Sequence, residues 1–212
     1  VTPLHITAEM QTGFSMPHTP LALDGLLAAV VAQRRGLVPP RVASDCEPVE
    51  IPIRRETGGR FHLASVAVYE PAAHELRYVN RRAPIEEYQA FGVAKIRRVK
   101  ITAGEDKSYR IPHEVVHTDR VEWWCSGDQD AIVDLLVDVS HIGKRRAVGR
   151  GRVHRWAVEP CAPWDGFPVV RDGRALRTLP ADWPGLVRPR LGYRVLSFPY
   201  WDHAAEQMCA VP

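Results

Sequence analysis

No window of this 212-residue chain approaches the ~18 apolar residues that a membrane-spanning helix needs. The longest apolar stretch, Leu26 to Ala32, is short and lacks a signal-peptide cleavage pattern. A soluble, cytoplasmic protein with no membrane partner is therefore expected. Cysteine is scarce as well. Cys46, Cys125, Cys161 and Cys209 form no CxxC pair and are irregularly spaced. Two disulfides are arithmetically possible, but a chain of this size does not need staples. Four reduced thiols are expected, with Cys125 a core residue in an apolar run. A Walker loop is also missing. The glycine-rich segment of this chain leads from a helix into a strand and contains no Gly-Lys-Ser/Thr, which excludes a nucleoside triphosphatase of that type.

What is present is a core-forming composition with an uneven charge distribution. Hydrophobic residues make up 45% of the chain, enough for one domain or a domain with a small appendage. The formal net charge is only +3. Between Gly143 and Arg155, however, lie Lys144, Arg145, Arg146, Arg150, Arg152 and Arg155, and no acid. These are six of the 28 basic residues, and the other 22 are outnumbered by 25 acids. Clustered positive charge of this kind attracts a phosphate backbone. The glycines Gly143, Gly149 and Gly151 let backbone N–H groups approach phosphates closely. Arginines add bidentate contacts and flat surfaces that stack on bases. The bland alternative is a solvated basic turn.

A coarse reading places a first strand at Leu4 to Gln11 and a loop at Gly13 to Pro20, which carries His18. A helix follows from about Asp24 to Arg35, capped by Asp24 and ended by Gly36. Ile51 and Ile53, a turn at Gly58-Gly59, and alternation from Phe61 to Ala67 suggest a hairpin. A strand from Leu76 to Asn80 opens a basic stretch, Arg77 to Lys107, containing Arg81, Arg82, Lys95, Arg97, Arg98 and Lys100. It reads as a protruding hairpin arm. Val115 to Cys125 reads as one strand. In it Trp123 and Trp124 face opposite sides, one in the core and the other a possible stacking surface. Asp128 caps a helix with apolar Ile132, Leu135, Leu136, Val139 and Ile142, ended by Gly143. Its Asp130, Asp134 and Asp138 form a solvated face, or one that meets a basic partner. Val153 to Val158 is a strand. After Pro160 the chain holds eight of its 18 prolines and little periodicity, so an irregular tail is expected, anchored by Trp164, Trp183, Tyr193, Phe198 and Trp201.

One motif argues for an enzyme. His113-Glu114-Val115-Val116-His117 matches HExxH, which on a helix puts two imidazoles on one face to bind zinc. The context here is a strand. There the histidines would stand ~13 Å apart, at ~3.3 Å per residue. Arg120 and Trp123 occupy the glycine and third-histidine positions of the longer metzincin pattern. No metal or other cofactor is expected.

Taken together, Val121-Glu122-Trp123-Trp124 to Gly127-Asp128, Ile142-Gly143-Lys144-Arg145-Arg146, and Gly149-Arg150-Gly151-Arg152-Val153 resemble the glycine-rich-loop half of RAMP proteins of CRISPR systems. Leu21-Ala22-Leu23-Asp24-Gly25-Leu26-Leu27 and the closing Gly192-Tyr193 to Pro199-Tyr200-Trp201 are similar to the same family. The resemblance is to the 5′-handle-binding backbone subunit of type IV CRISPR effector complexes. It implies an α+β fold with a ferredoxin-like (RRM-type) core over residues 1–160, an inserted basic β-hairpin arm or thumb at about 77–110, and an irregular Pro-rich C-terminal extension over 161–212. It implies a non-catalytic subunit whose loop, Gly143 to Arg152, grips the 5′ handle of a CRISPR RNA, with Arg81, Arg82, Arg97, Arg98 and Lys100 of the arm assisting. The implied partners are the repeated backbone subunit, a large subunit near the protospacer-adjacent motif, and target DNA beside that motif, which the loop at 13–20 would approach. In such complexes guide pairing reads the target sequence. Three alternatives stay open: a metal-independent ribonuclease processing CRISPR RNA through His141 or His154, a zinc hydrolase built on HEVVH, and a protein–protein adaptor.

Overall fold

A computed structural model of the chain describes residues 1–15, 20–37, 46–82, 102 and 107–212. It is an α+β fold with few helices and antiparallel sheets. Strand β1 (Thr2–Met10) buries Leu4, Ile6 and Ala8 on one face, the period of two that a half-covered strand requires. It is the middle strand of a three-stranded sheet, between β4 (Arg120–Gly127) and β5 (Val153–Pro160). The outer edge of β4 carries residues 61–68 through the bridges Ala64–Cys125 and Val68–Glu122. The expected turn at Gly58-Gly59 is there, closed by the Arg55–His62 bridge. The expected alternation is not. Ala64, Ser65, Val66 and Ala67 are all buried, because the C-terminal chain covers their second side and Leu176 accepts from the Val66 N–H at 2.7 Å.

Helix α1 (Leu23–Arg34) and helix α2 (Gln129–Leu136) share the main core with the sheet. Gly36 follows α1 at φ 69°, the left-handed conformation that a helix end favours. Asp24 does not cap α1. Ala22 is the N-cap residue, and Asp24 points inward, only 1% exposed. Asp128 does cap α2, accepting from the Ala131 N–H at 3.2 Å. That helix stops at Leu136, short of Gly143. Val139 and Ile142 remain buried on the irregular chain that follows, so apolar spacing outlasts the helix. Its acidic face is not wholly solvated, since Arg34 of α1 binds Asp134 and Asp138.

The run from Val115 to Cys125 is two strands. The break falls at Thr118-Asp119, where the Thr118 hydroxyl lies 2.9 Å from the carbonyls of both Glu70 and Arg120. Ahead of the break, β3 (Tyr109–His117) pairs with β2 (Ala73–Arg81) as an exposed antiparallel ribbon. Of the expected arm at about 77–110, residues 77–82, 102 and 107–110 are described, and those of them on β2 and β3 form the outer end of this ribbon. Lys95, Arg97, Arg98 and Lys100 lie outside the described residues, as does His18. Trp123 and Trp124 face opposite sides, yet both are buried. Trp124 stacks on His5, with ring centroids 5.1 Å apart, and Trp164 packs edge-on against it. The stacking surface expected there is thus already covered by the chain's own residues.

The C-terminal segment is more regular than expected. It forms a small hairpin, β6 (Val170–Arg171) with β7 (Arg174–Ala175), and a three-stranded sheet in which β10 (Gln207–Val211) lies between β8 (Leu179–Pro180) and β9 (Arg190–Arg194). Its core joins Phe61 to Val169, Val170, Leu179 and Ala210. Strands of two to five residues are too short to show periodicity. The segment is anchored to α1 through charge. Arg177, 2% exposed, lies 3.5 Å from the Asp24 carboxylate, and the Tyr200 hydroxyl donates to both Asp24 oxygens at 2.7 and 2.8 Å.

All four cysteines are free, and burial together with nearby Cys161 pushes the Cys125 thiol up to about 12. Among the described residues no helix is long and apolar enough to cross a membrane.

Candidate nucleic-acid interface

The glycine loop is built against residues 11–15. Lys144 donates its N–H to Ser15 O at 2.8 Å, and Gly151 donates to Gly13 O at 3.0 Å. The Thr12 hydroxyl donates to Gly149 O at 3.0 Å and accepts from the Arg152 N–H at 2.9 Å. Across the loop's neck Ile142 donates to Gly151 O at 2.8 Å. Two glycines are obligatory here. At Gly151, φ is 69° and a Cβ would sit 1.9 Å from Ile142 O; at Gly143, φ is 77° and a Cβ would sit 2.7 Å from Ser15 O. Between them Arg146–Val148 forms a single 3₁₀ turn entered through Arg145, a non-glycine residue at φ 61°. Left-handed backbone at such a residue costs ~1–2 kcal/mol and persists only where the surroundings impose it.

Lys144, Arg146 and Arg152 are exposed, and Arg145 and Arg150 are half-buried. Among the described residues none of these five has a carboxylate within 4.0 Å. Arg155, at the end of the basic segment, is different: it is paired with Glu9 across the sheet and belongs to the fold. That pairing holds the Glu9 carboxyl below its usual value.

Residues 13–15 also hold the ribbon. Phe14 donates its N–H to Val116 O at 2.9 Å and accepts from the Val116 N–H at 2.8 Å. The short stretch 12–15 thus joins the glycine loop to the base of the ribbon, bringing together two basic regions that the sequence holds far apart. In the sequence, 13–20 reads as a loop with little sign of this joining role. Its signal is faint: Gly13, where a Cβ would meet Val115 Cγ1 at 2.8 Å. On the ribbon Arg77 is exposed and pairs with Glu75 at 2.5 Å. Arg81 and Arg82 are exposed at its outer end. The Arg110 guanidinium lies over the Tyr78 ring at 4.0 Å.

The HEVVH motif lies on β3, so its histidines have strand spacing. Glu114 faces the other side and is 2.5 Å from His74, while His117 is 3.3 Å from Glu75. Among the described residues, no group of three or more His, Cys, Asp or Glu side chains gathers as metal ligands would. The other candidate histidines flank the loop. His141 is bridged to Arg152, with Nδ1 2.9 Å from the Ser140 hydroxyl, and His154 is exposed on β5.

Residues 76–212 match the model of the family described as CRISPR type IV associated protein Csf3. The chain belongs to that family. The matched range takes in most of the ribbon, β4, the glycine loop and the whole C-terminal segment. No curated protein matches. Thirteen chains of solved structures do. One comes from the cryo-EM structure of the Type III-B Cmr-beta bound to cognate target RNA, at 9% identity and a TM-score of 0.37. The alignment covers 76% of this chain and spans 62% of the length of that one.

Proposed function

We propose that this chain is a non-catalytic, RNA-binding subunit of a cytoplasmic CRISPR effector complex, and that the glycine loop grips the 5′ handle of the CRISPR RNA. One observation carries this reading. Five cations in one loop, Lys144, Arg145, Arg146, Arg150 and Arg152, have no counter-charge among the described residues, on a backbone fixed by residues 12–15. A rigid loop of unpaired guanidiniums suits a polyanion, because binding releases counterions without breaking internal ion pairs. Membership of a type IV CRISPR-associated family supplies the context. The core is ferredoxin-like: with residues 61–68 counted as a strand, the sheet order runs β5–β1–β4–(61–68), antiparallel throughout, with α1 and α2 as crossovers. On this reading residues 1–160 are the RAMP domain, β2 and β3 are the root of its thumb, and 161–212 pack on it as an extension. The neighbours are the repeated backbone subunit and the large subunit, with target DNA near the flanking motif.

The test is equilibrium binding of the purified chain to a labelled type IV repeat RNA, compared with a variant carrying Arg145→Ala, Arg146→Ala and Arg150→Ala. The variant should keep its melting temperature, lose handle binding, and flatten the log–log salt dependence by roughly 0.7 per phosphate contact removed. A variant that binds as tightly as the wild type refutes the loop assignment. Cleavage of the RNA that vanishes on substituting His141 or His154 would replace the scaffold reading with a nuclease.

A further inference from the structure

The C-terminal sheet leaves one strand with a single neighbour. Its order is β8–β10–β9, so β9 lies at an edge. Among the described residues the backbone hydrogen bonds of β9 reach only β10, except that Tyr193 O accepts from the Arg194 guanidinium at 2.7 Å. An edge of this kind presents unpaired N–H and C=O groups that can template a further strand. The register puts Leu191 opposite Ala210 and Tyr193 opposite Met208, and opposed residues share a face. On that face Leu191 is 53%, Tyr193 61% and Met208 44% exposed, an apolar strip beside the open edge.

The other face of β9 carries Arg190, Gly192 and Arg194. Arg188, just before the strand, is exposed as well. None of these three arginines has a carboxylate within 4.0 Å among the described residues. The sequence holds no acid between Asp182 and Asp202. Gly192 is not demanded by its own fold: its φ is not left-handed, and a Cβ there would meet only Val211 Cγ1, at an ordinary 3.6 Å. A strand glycine that its own chain does not need suits the close approach of another backbone.

We propose that β9 is extended, in the assembled effector complex, by a strand from a neighbouring protein subunit. Strand addition draws affinity from main-chain hydrogen bonds and specificity from alternate side chains. The incoming segment is apolar where it faces Leu191 and Tyr193, and acidic where it faces Arg190 and Arg194. A nucleic acid suits this edge less well, because it has no peptide groups to complete a ladder and the aliphatic Leu191 and Met208 offer a phosphate nothing. The proposal rests on membership of a type IV CRISPR-associated family and not on the RNA-binding reading of the glycine loop.

The experiment co-expresses the full chain with the other protein subunits of its effector complex and with CRISPR RNA, and follows backbone hydrogen exchange over residues 190–194 by mass spectrometry. Three states are compared: the free chain, the chain with repeat RNA alone, and the assembled complex. The edge amides should exchange fast in the first two and at least about tenfold more slowly in the third, where partner carbonyls hold them. The charge reversal Arg190→Glu with Arg194→Glu should enter the complex about tenfold less well than the wild type, the loss of one or two polar contacts, while keeping its melting temperature and repeat-RNA affinity. Leu191→Ser with Tyr193→Ser, which leaves the charges in place, should be depleted likewise. Fast exchange in the assembled complex overturns the proposal, as does wild-type incorporation of either variant. Slowing by repeat RNA alone overturns it in favour of a nucleic-acid surface. If a variant melts early, the exchange comparison on the wild type decides. A wild type that binds no repeat RNA would instead overturn the loop assignment and leave the β9 result standing.

Discussion

Arg177 and the arginines of the glycine loop share one side chain under opposite conditions. The Arg177 guanidinium is enclosed, donating to the carbonyls of His62, Ala64 at 3.3 Å and Leu196 at 2.6 Å, with Asp24 as its counter-charge. Arg145, Arg146, Arg150 and Arg152 meet no described carboxylate at ion-pair distance. A buried guanidinium must find every partner inside the fold, because its desolvation penalty is several kcal/mol. A wetter one keeps water in place of partners and remains available to a ligand. The seam between α1 and α2 falls between these cases, with Arg34 held at the surface by Asp134 and Asp138. Positive charge in a sequence therefore marks a binding site only where the fold leaves it unpaired. The glycine loop, where five such cations without a described counter-charge fall within nine residues, is the RNA site proposed here.

Removing a partner from the enclosed arginine should have the largest effect on stability. Asp24→Asn leaves Arg177 buried without its counter-charge and should cost about 3–5 kcal/mol in denaturant unfolding. The folded fraction should bind RNA as before. A loss of RNA binding without loss of stability would put Asp24 in the interface and erase the contrast. The same carboxyl sharpens the contrast through pH. Burial alone would raise its pKa, but the Arg177 charge, the nearby His62 imidazole at 3.8 Å and the Tyr200 hydrogen bonds outweigh burial and lower it. Its stabilising share is thus complete above the unfolded value of about 4 and is lost as pH falls through the lower folded value. Acid melting curves should show this loss in the wild type and not in Asp24→Asn.

Gly151→Ala is expected to be the intermediate case. Backbone strain of about 1–3 kcal/mol adds to the collision with Ile142 O, so the loop must shift and RNA binding should fall along with the melting temperature. Unchanged binding would mean that loop geometry is irrelevant and only its charge counts. Arg34→Ala should do least. It removes one positive charge, as a loop substitution does, yet RNA affinity should hold and the melting temperature should move less than in Asp24→Asn. If it weakens RNA as much as Arg145→Ala, total charge governs binding and pairing does not.

Much of the framework was legible in the sequence, for local reasons. Gly36 ends α1, Asp128 starts α2, and the glycines of the loop stand where the backbone turns left-handed. What escaped was set by partners distant along the chain. Asp24 looks like a helix cap until Arg177 and Tyr200 arrive from more than 150 residues on. Val139 and Ile142 continue a helical spacing after the helix has ended, because burial and not helicity fixes them. The Thr12 hydroxyl holds the loop and the Phe14 backbone holds the ribbon, through contacts to distant main chain that no periodic pattern announces. The short C-terminal strands depend on pairing with one another rather than on periodicity.

The most direct test of the account is to map where RNA touches the chain, by ultraviolet crosslinking of a bound type IV repeat RNA followed by peptide mass spectrometry. The account predicts adducts within residues 143–152 and on the adjoining ribbon, absent from the triple arginine variant. Adducts confined to the sheet face around Glu9, Glu122 and Arg155, where the charges are already paired, would contradict it.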